Sequence, residues 1–201
     1  MSGFLSGPAA RLRMSVAQII NEAGPPGPVQ ATGRHGPAGM GAAIAWSDGL
    51  FVTSAHVIRS SRMTLVTPDG QRVPGELVWQ EQRRDVALVR APGAAMPKVQ
   101  VADPSDLRPG SLVMAIGHPF GLVDAVSTGV LQSVGELPAG FGFEGRTLNW
   151  VQADVRLGPG NSGGPLADAD GRVIGVAAMI VAGMALAVPA PEVEALVASG
   201  R

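Results

Sequence analysis

From Gly39 onward the chain is cut into short apolar runs, each closed by turn residues: GAAIAW before SDG, then LFVTSAHVI, then MTLVT before PDG, then VPGELVWQ. Runs of this length, bounded by Gly, Pro, Asp and Ser, suit the strands of a sheet or barrel and leave no room for long helices. The pattern resumes in SLVMAIGH, VSTGVLQSVGE, TLNWVQAD, GPLADADGRVIGVAAMI and GMALAVP. Between the two sets, APGAAMPKVQVADPSDLRPG carries Pro92, Pro97, Pro104 and Pro109, so no single element can run through it. The reading is two β units: a first barrel at about residues 39–95, a link at about 91–110 and a second barrel at about 110–189. A terminal helix over about 190–200 follows, which Pro191 can open and Gly200 can end.

Residues 1–38 read as a flexible extension, with a short amphipathic helix at Ser15 to Ala23 ahead of the Pro/Gly-rich GPPGPVQATGRHGPAG. Arg11 and Arg13 precede a short mixed stretch rather than an apolar core, so the start does not read as a signal peptide. No window approaches the roughly 20 apolar residues of a membrane span. A soluble, cytoplasmic protein is the expectation. The net charge of −1 gives no basic stripe for nucleic acid or anionic lipid.

The chain has no cysteine, which removes disulfides, thiolate metal sites and a cysteine nucleophile together. His35, His56 and His118 lie far apart without metal-ligand spacing, so neither a metal nor any other cofactor is expected. His118, ahead of a proline, reads as a turn histidine, and Trp46, Trp79 and Trp150 as core or rim aromatics.

The densest chemical signal is GPGNSGGPL, Gly158 to Leu166, where one serine sits among glycines. A serine nucleophile needs backbone N–H groups aimed at the oxygen that becomes negative in the tetrahedral intermediate. Gly160, Asn161 and Ser162 are the candidates to form that oxyanion hole. Read alone, the motif also fits a Gly-rich hairpin turn. A hydroxyl further needs a base and a carboxylate to orient it. His56, just beyond the apolar run LFVTSA, and Asp85, at the mouth of VALVRA, can fill those roles, although each alone also fits a structural residue. The order His56, Asp85, Ser162 is that of chymotrypsin, whereas subtilisins run Asp, His, Ser and α/β-hydrolases run Ser, Asp, His. The fold class expected is therefore all-β, a chymotrypsin-like double β-barrel with a C-terminal helix. The site would lie in the cleft between the barrels.

GMGAAIAWSDGLFVTSAHVI, RRDVALVR, IGHPFGL, VSTGVLQSVGE, QADVRLGPGNSGGPL, GRVIGV and GMALAVP together resemble the protease domain of the HtrA/DegP family over about residues 39–198. The resemblance implies His56 as general base, Asp85 as its orienting carboxylate, Ser162 as nucleophile and Gly160 as oxyanion-hole glycine. It also implies a serine endopeptidase acting on protein or peptide substrates through an acyl-enzyme. Asn161 stands where digestive-type relatives carry an aspartate that pairs with a freed N-terminus, so activation by N-terminal cleavage is not expected. Control by loop ordering or by a regulatory protein partner is expected instead, and trimers are common in such a family. Nothing in this stretch resembles the family's PDZ modules. Leu157, Met184 and Leu186 are expected to line a small apolar specificity pocket, and Arg156 would favour acidic residues if it turned inward. The alternative is a catalytically latent relative that binds peptides or assembles a complex.

Overall fold

The computed structural model describes residues 5–21, 40–118, 125–136 and 149–200. A helix α1 (Ser6–Arg13) precedes strands β1 (Val16–Asn21), β2 (Met40–Ser47), β3 (Leu50–Thr53), β4 (Arg62–Val66), β5 (Arg72–Glu81) and β6 (Val86–Arg90). These six close into an antiparallel barrel in the order β1-β2-β3-β6-β5-β4. Strands β7 (Leu112–Gly117), β8 (Ala125–Glu136), β9 (Asn149–Asp154), β10 (Pro165–Asp168), β11 (Val173–Val181) and β12 (Met184–Pro189) close a second barrel, β10-β11-β12-β9-β8-β7. Helix α2 (Ala190–Ser199) ends the described chain, with Pro191 in its first turn and Gly200 left-handed at φ 67° as its C-cap.

The near-continuous apolar runs arise because many strands are buried on both faces. Side chains alternate across a strand with period two. In β2, Ala43 and Ala45 face the interior of the first barrel with Ile19, Phe51, Met63, Leu65 and Val89. Its alternate residues, Ala42 and Ile44, join Val16, Val52, Val86 and Leu88 on the outer wall that meets the second barrel. Strand β7 repeats the scheme: Val113 and Ala115 fill the second barrel with Leu131, Val151, Leu166 and Ile174, while Met114 and Ile116 face the first. Each large apolar side chain so buried contributes about 1.5–3 kcal/mol. This shared layer, covered also by Ala9 and Leu12 of α1 and Val193 of α2, fixes one barrel on the other and so fixes the cleft.

Two expectations about the chain before residue 39 are corrected. Val16–Asn21 is a strand, not part of an amphipathic helix at 15–23; β1 pairs with both β2 and β4 and closes the first barrel, which therefore begins well before residue 39. Residues 6–21 accordingly belong to the folded body, while the Pro/Gly-rich stretch with His35 lies outside the described residues. The link at 91–110 holds an isolated parallel bridge, Val101 to Val173 of β11, and a single 3-10 turn, Pro104–Asp106, capped by Asp103 accepting from the Ser105 N–H at 2.8 Å. No described helix is long and apolar enough to cross a membrane.

Candidate active site

Strand β3 delivers His56. The chain leaves the barrel at Thr53 and makes one 3-10 turn, Ala55–Val57, which sets the imidazole at the lip of the cleft. Asn21 of β1 grips the far side of this turn, its Nδ2 donating to the Val57 carbonyl at 2.8 Å while its Oδ1 accepts from the Arg59 N–H at 2.8 Å. Asp85 ends the turn ahead of β6 and accepts twice from His56, from the backbone N–H on Oδ1 at 2.8 Å and from Nδ1 on Oδ2 at 2.7 Å. An ionised carboxylate only accepts, so Nδ1 carries the proton and Nε2 is left with its lone pair toward the cleft. The Asp85 side chain is 12% exposed and the His56 ring 42%. Asp85 also has φ 55°, a left-handed conformation that Asn and Asp tolerate better than most non-glycine residues. Two hydrogen bonds to one partner hold that strained backbone in place.

The second barrel delivers Ser162 on the turns ahead of β10. The Asn161 N–H donates to the Gly158 carbonyl at 3.0 Å, closing a four-residue turn whose third member, Gly160, has φ 106°. With Pro159 second and a glycine of positive φ third, this is a type II turn. Turn type matters because a type I turn would rotate the Pro159–Gly160 peptide by roughly half a revolution and exchange its N–H for a carbonyl oxygen. The Gly160 and Ser162 N–H groups donate to no acceptor among the described residues. Asn161, expected as a third oxyanion donor, has its own N–H committed to Gly158. Its side chain is buried against Gly117, where a Cβ would overlap its Oδ1.

Bonds across the two barrels hold the serine loop. The Ala42 N–H donates to the Ser162 carbonyl at 2.8 Å, and the Ala177 carbonyl accepts from both the Gly163 N–H at 2.7 Å and the buried Ser54 Oγ at 3.0 Å. Gly163, at φ 81°, leaves no space for a Cβ, which would overlap Thr53 Oγ1 and the Ala42 carbonyl. The His118 N–H reaches the Gly160 carbonyl at 3.1 Å, so this buried histidine braces the turn through its backbone. Sequence reasoning missed Ser54 and His118, whose partners are backbone groups far away in the chain.

His56, Asp85, Gly160, Asn161 and Ser162 all line one cleft of about 930 Å³ between the barrels. Ser162 Oγ forms no hydrogen bond with the His56 ring among the described residues. Leu157 lines the cleft, together with Ala177 to Gly183. Arg156, Met184 and Leu186 do not. Arg156 opens into a separate recess with Ser127, Thr128 and Asp154, and Leu186 is fully buried in the layer between the barrels. The second-barrel wall of the cleft includes the outer end of β11. There Met179, Ile180 and Val181 pair with β12 on one side only, because β10 ends its pairing at Val176. The extra residue at Ala178 is a bulge that shifts the register of β11 against β12.

Two closed antiparallel barrels with a histidine, a carboxylate and a serine meeting at their junction define the chymotrypsin-like fold class. The family model of the trypsin-like peptidase domain matches residues 39–176, and the chain belongs to that family. Several of its relatives carry HtrA names. It is 32% identical over 172 residues to serine protease HTRA1 of Xenopus tropicalis, covering 84% of this chain and 37% of that protein. It is 34% identical over 146 residues to the mitochondrial serine protease HTRA2 of Drosophila pseudoobscura pseudoobscura, covering 71% of this chain and 34% of that one. The chain thus spans about a third of the length of these relatives. Among solved structures, the HtrA-type protease AlgW with a decapeptide superposes with a TM-score of 0.80 at 22% identity, over 98% of this chain and 67% of the other.

Proposed function

We propose that this protein is a serine endopeptidase in which Ser162 attacks a peptide carbonyl, His56 is the general base and then the general acid, and Asp85 holds the imidazole. The observation that carries the reading is the double hydrogen bond from His56 to Asp85 at the lip of the cleft that also holds Ser162 and the two uncommitted N–H groups. In the proposed reaction Ser162 Oγ bonds to the carbonyl carbon as its proton passes to His56 Nε2. The oxyanion lies against the Gly160 and Ser162 N–H groups. His56 returns the proton to the leaving amine, and a water activated by the same nitrogen then hydrolyses the acyl-enzyme. An extended substrate would add to the unpaired edge of Met179–Val181, with its acyl-side residue against Leu157. These surroundings suit a small apolar side chain there.

Control by ordering of segments around the cleft or by a partner protein is part of the same proposal, as are the trimer and residence in the cytoplasm. Sedimentation of the purified chain and fractionation of host cells check the last two. The activity itself is tested by cleavage of an unfolded protein, with and without host extract. Cleavage that disappears in Ser162→Ala supports the reading, and none under either condition overturns it.

A second reading, a latent peptide-binding relative, is favoured by one observation: Ser162 is not hydrogen-bonded to His56. Catalytic hydrogen bonds are often loose before substrate is bound, so the same geometry suits the enzyme.

A further inference from the structure

We propose that Arg59 makes the leaving-group side of the cleft selective for acidic residues just beyond the scissile bond, a specificity that rests on the peptidase reading above. Arg59 lines the cleft on the first-barrel wall with Met40 and Val57. Its side chain is exposed and makes no ion pair with any described residue. Among the described residues, the other charged or titratable groups lining the cleft are His56 and Asp85, and both carboxylate oxygens of Asp85 are taken by His56. Among the described residues, the cleft therefore offers a substrate one uncommitted cation and no uncommitted anion.

The chemistry fixes which part of a substrate meets this cation. On the peptidase reading the acyl-side residues lie against the second-barrel wall, where Leu157 and Met179–Val181 line the cleft. The departing nitrogen must come to His56 for its proton, so the chain beyond it leaves past His56 onto the first-barrel wall of Met40, Val57 and Arg59. The base of Arg59 is not free to drift, because its N–H is held by Asn21 Oδ1 at 2.8 Å and Asn21 also holds the Val57 carbonyl at 2.8 Å. A guanidinium anchored at its root beside an extended peptide can form charge-assisted hydrogen bonds with an Asp or Glu carboxylate. The contact is lost when the leaving fragment departs, so it affects acylation and not deacylation.

The test uses quenched peptides that are identical except for Glu, Gln or Lys as the second residue after the scissile bond. The parent chain is expected to cleave the Glu peptide about 3- to 10-fold faster than the Lys peptide, in kcat/KM, at low salt, with the ratio shrinking as ionic strength rises. Arg59→Gln should erase the ratio and Arg59→Glu reverse it. Substrates whose leaving group is a small chromogenic amine give each protein its own reference rate, so that a general loss of activity in a variant is not read as a change in the Glu-to-Lys ratio. Equal cleavage of Glu and Lys peptides, or a Glu preference that survives Arg59→Glu, overturns the proposal. Binding of the same labelled peptides to Ser162→Ala separates this idea from the peptidase reading. A Glu preference that Arg59→Glu reverses there, with no cleavage by the parent chain, sinks the peptidase and keeps the selectivity. Absence of both binding and cleavage for every peptide sinks the two together.

Discussion

The two barrels bring their groups to the cleft by different means. The first holds His56 and Asp85 by side-chain hydrogen bonds, with a strained φ of 55° at the carboxylate. The second holds Ser162 almost entirely with backbone: a type II turn through Gly160, a crowded Gly163 and carbonyls tied across to the first barrel. The first half of the site therefore depends on which functional groups are present. The second depends on which backbone conformations are allowed. Chemically minor changes should damage the first barrel's contribution while sparing the fold, and sterically minor ones should damage the second's.

The sharpest test is Asp85→Asn. Asn accepts the left-handed backbone, so the melting temperature should change little, yet an amide in place of the acceptor favours the wrong imidazole tautomer. We expect kcat on a quenched peptide to fall by about 10⁴-fold. Retained activity, or collapse of the fold, would remove the distinction between the two halves. Next comes Gly160→Ala. A Cβ disfavours φ 106° and with it the type II turn, so kcat should fall by about 10²- to 10³-fold with a smaller change in KM. A wild-type kcat would show that the turn type does not control the oxyanion donors.

Smaller effects concern the joint between the halves. Ser54→Ala removes a buried bond to the Ala177 carbonyl, which keeps its bond from Gly163, so no acceptor is orphaned. Denaturant titration should show a loss of about 1 kcal/mol. Smallest is Asp103→Ala in the link. Hydrogen bonding from the Ser105 N–H and hydroxyl lowers the Asp103 pKa below the ordinary aspartate value. The stabilisation is complete above the unfolded-state value and is lost as pH falls through the lower folded value. The variant should thus be less stable by at most about 0.5 kcal/mol at neutral pH, because the group is exposed and screened. The gap should vanish near the acid end of a pH series of melts.

Much of this arrangement was legible before any coordinates. The two sets of short runs, the proline-rich link and the Pro191 to Gly200 helix are local signals, and each appears where the turn residues put it. The triad candidates were legible because their chemistry requires particular residue types in a particular order. The failures have a common physical cause. VAQIIN reads as part of a helix face because two apolar pairs flank a polar residue, and only pairing with β2 and β4, decided by distant residues, makes it a strand. Arg156 was expected in the pocket because it shortly precedes Ser162, and Met184 and Leu186 because they lie in an apolar run; none of the three lines the cleft. The direction in which each side chain points depends on pairing and bulges such as that at Ala178, which the sequence does not mark. Ser54 and His118 were missed as supports because the groups they bond are carbonyls of remote residues.

The central claim is that the first barrel's base activates the second barrel's serine. A fluorophosphonate probe followed by peptide mass spectrometry tests it most directly, because the reagent bonds only to an activated hydroxyl. The account predicts one adduct, on Ser162, lost in Ser162→Ala and strongly slowed in Asp85→Asn. An adduct on another residue, or no adduct with or without host extract, would contradict it.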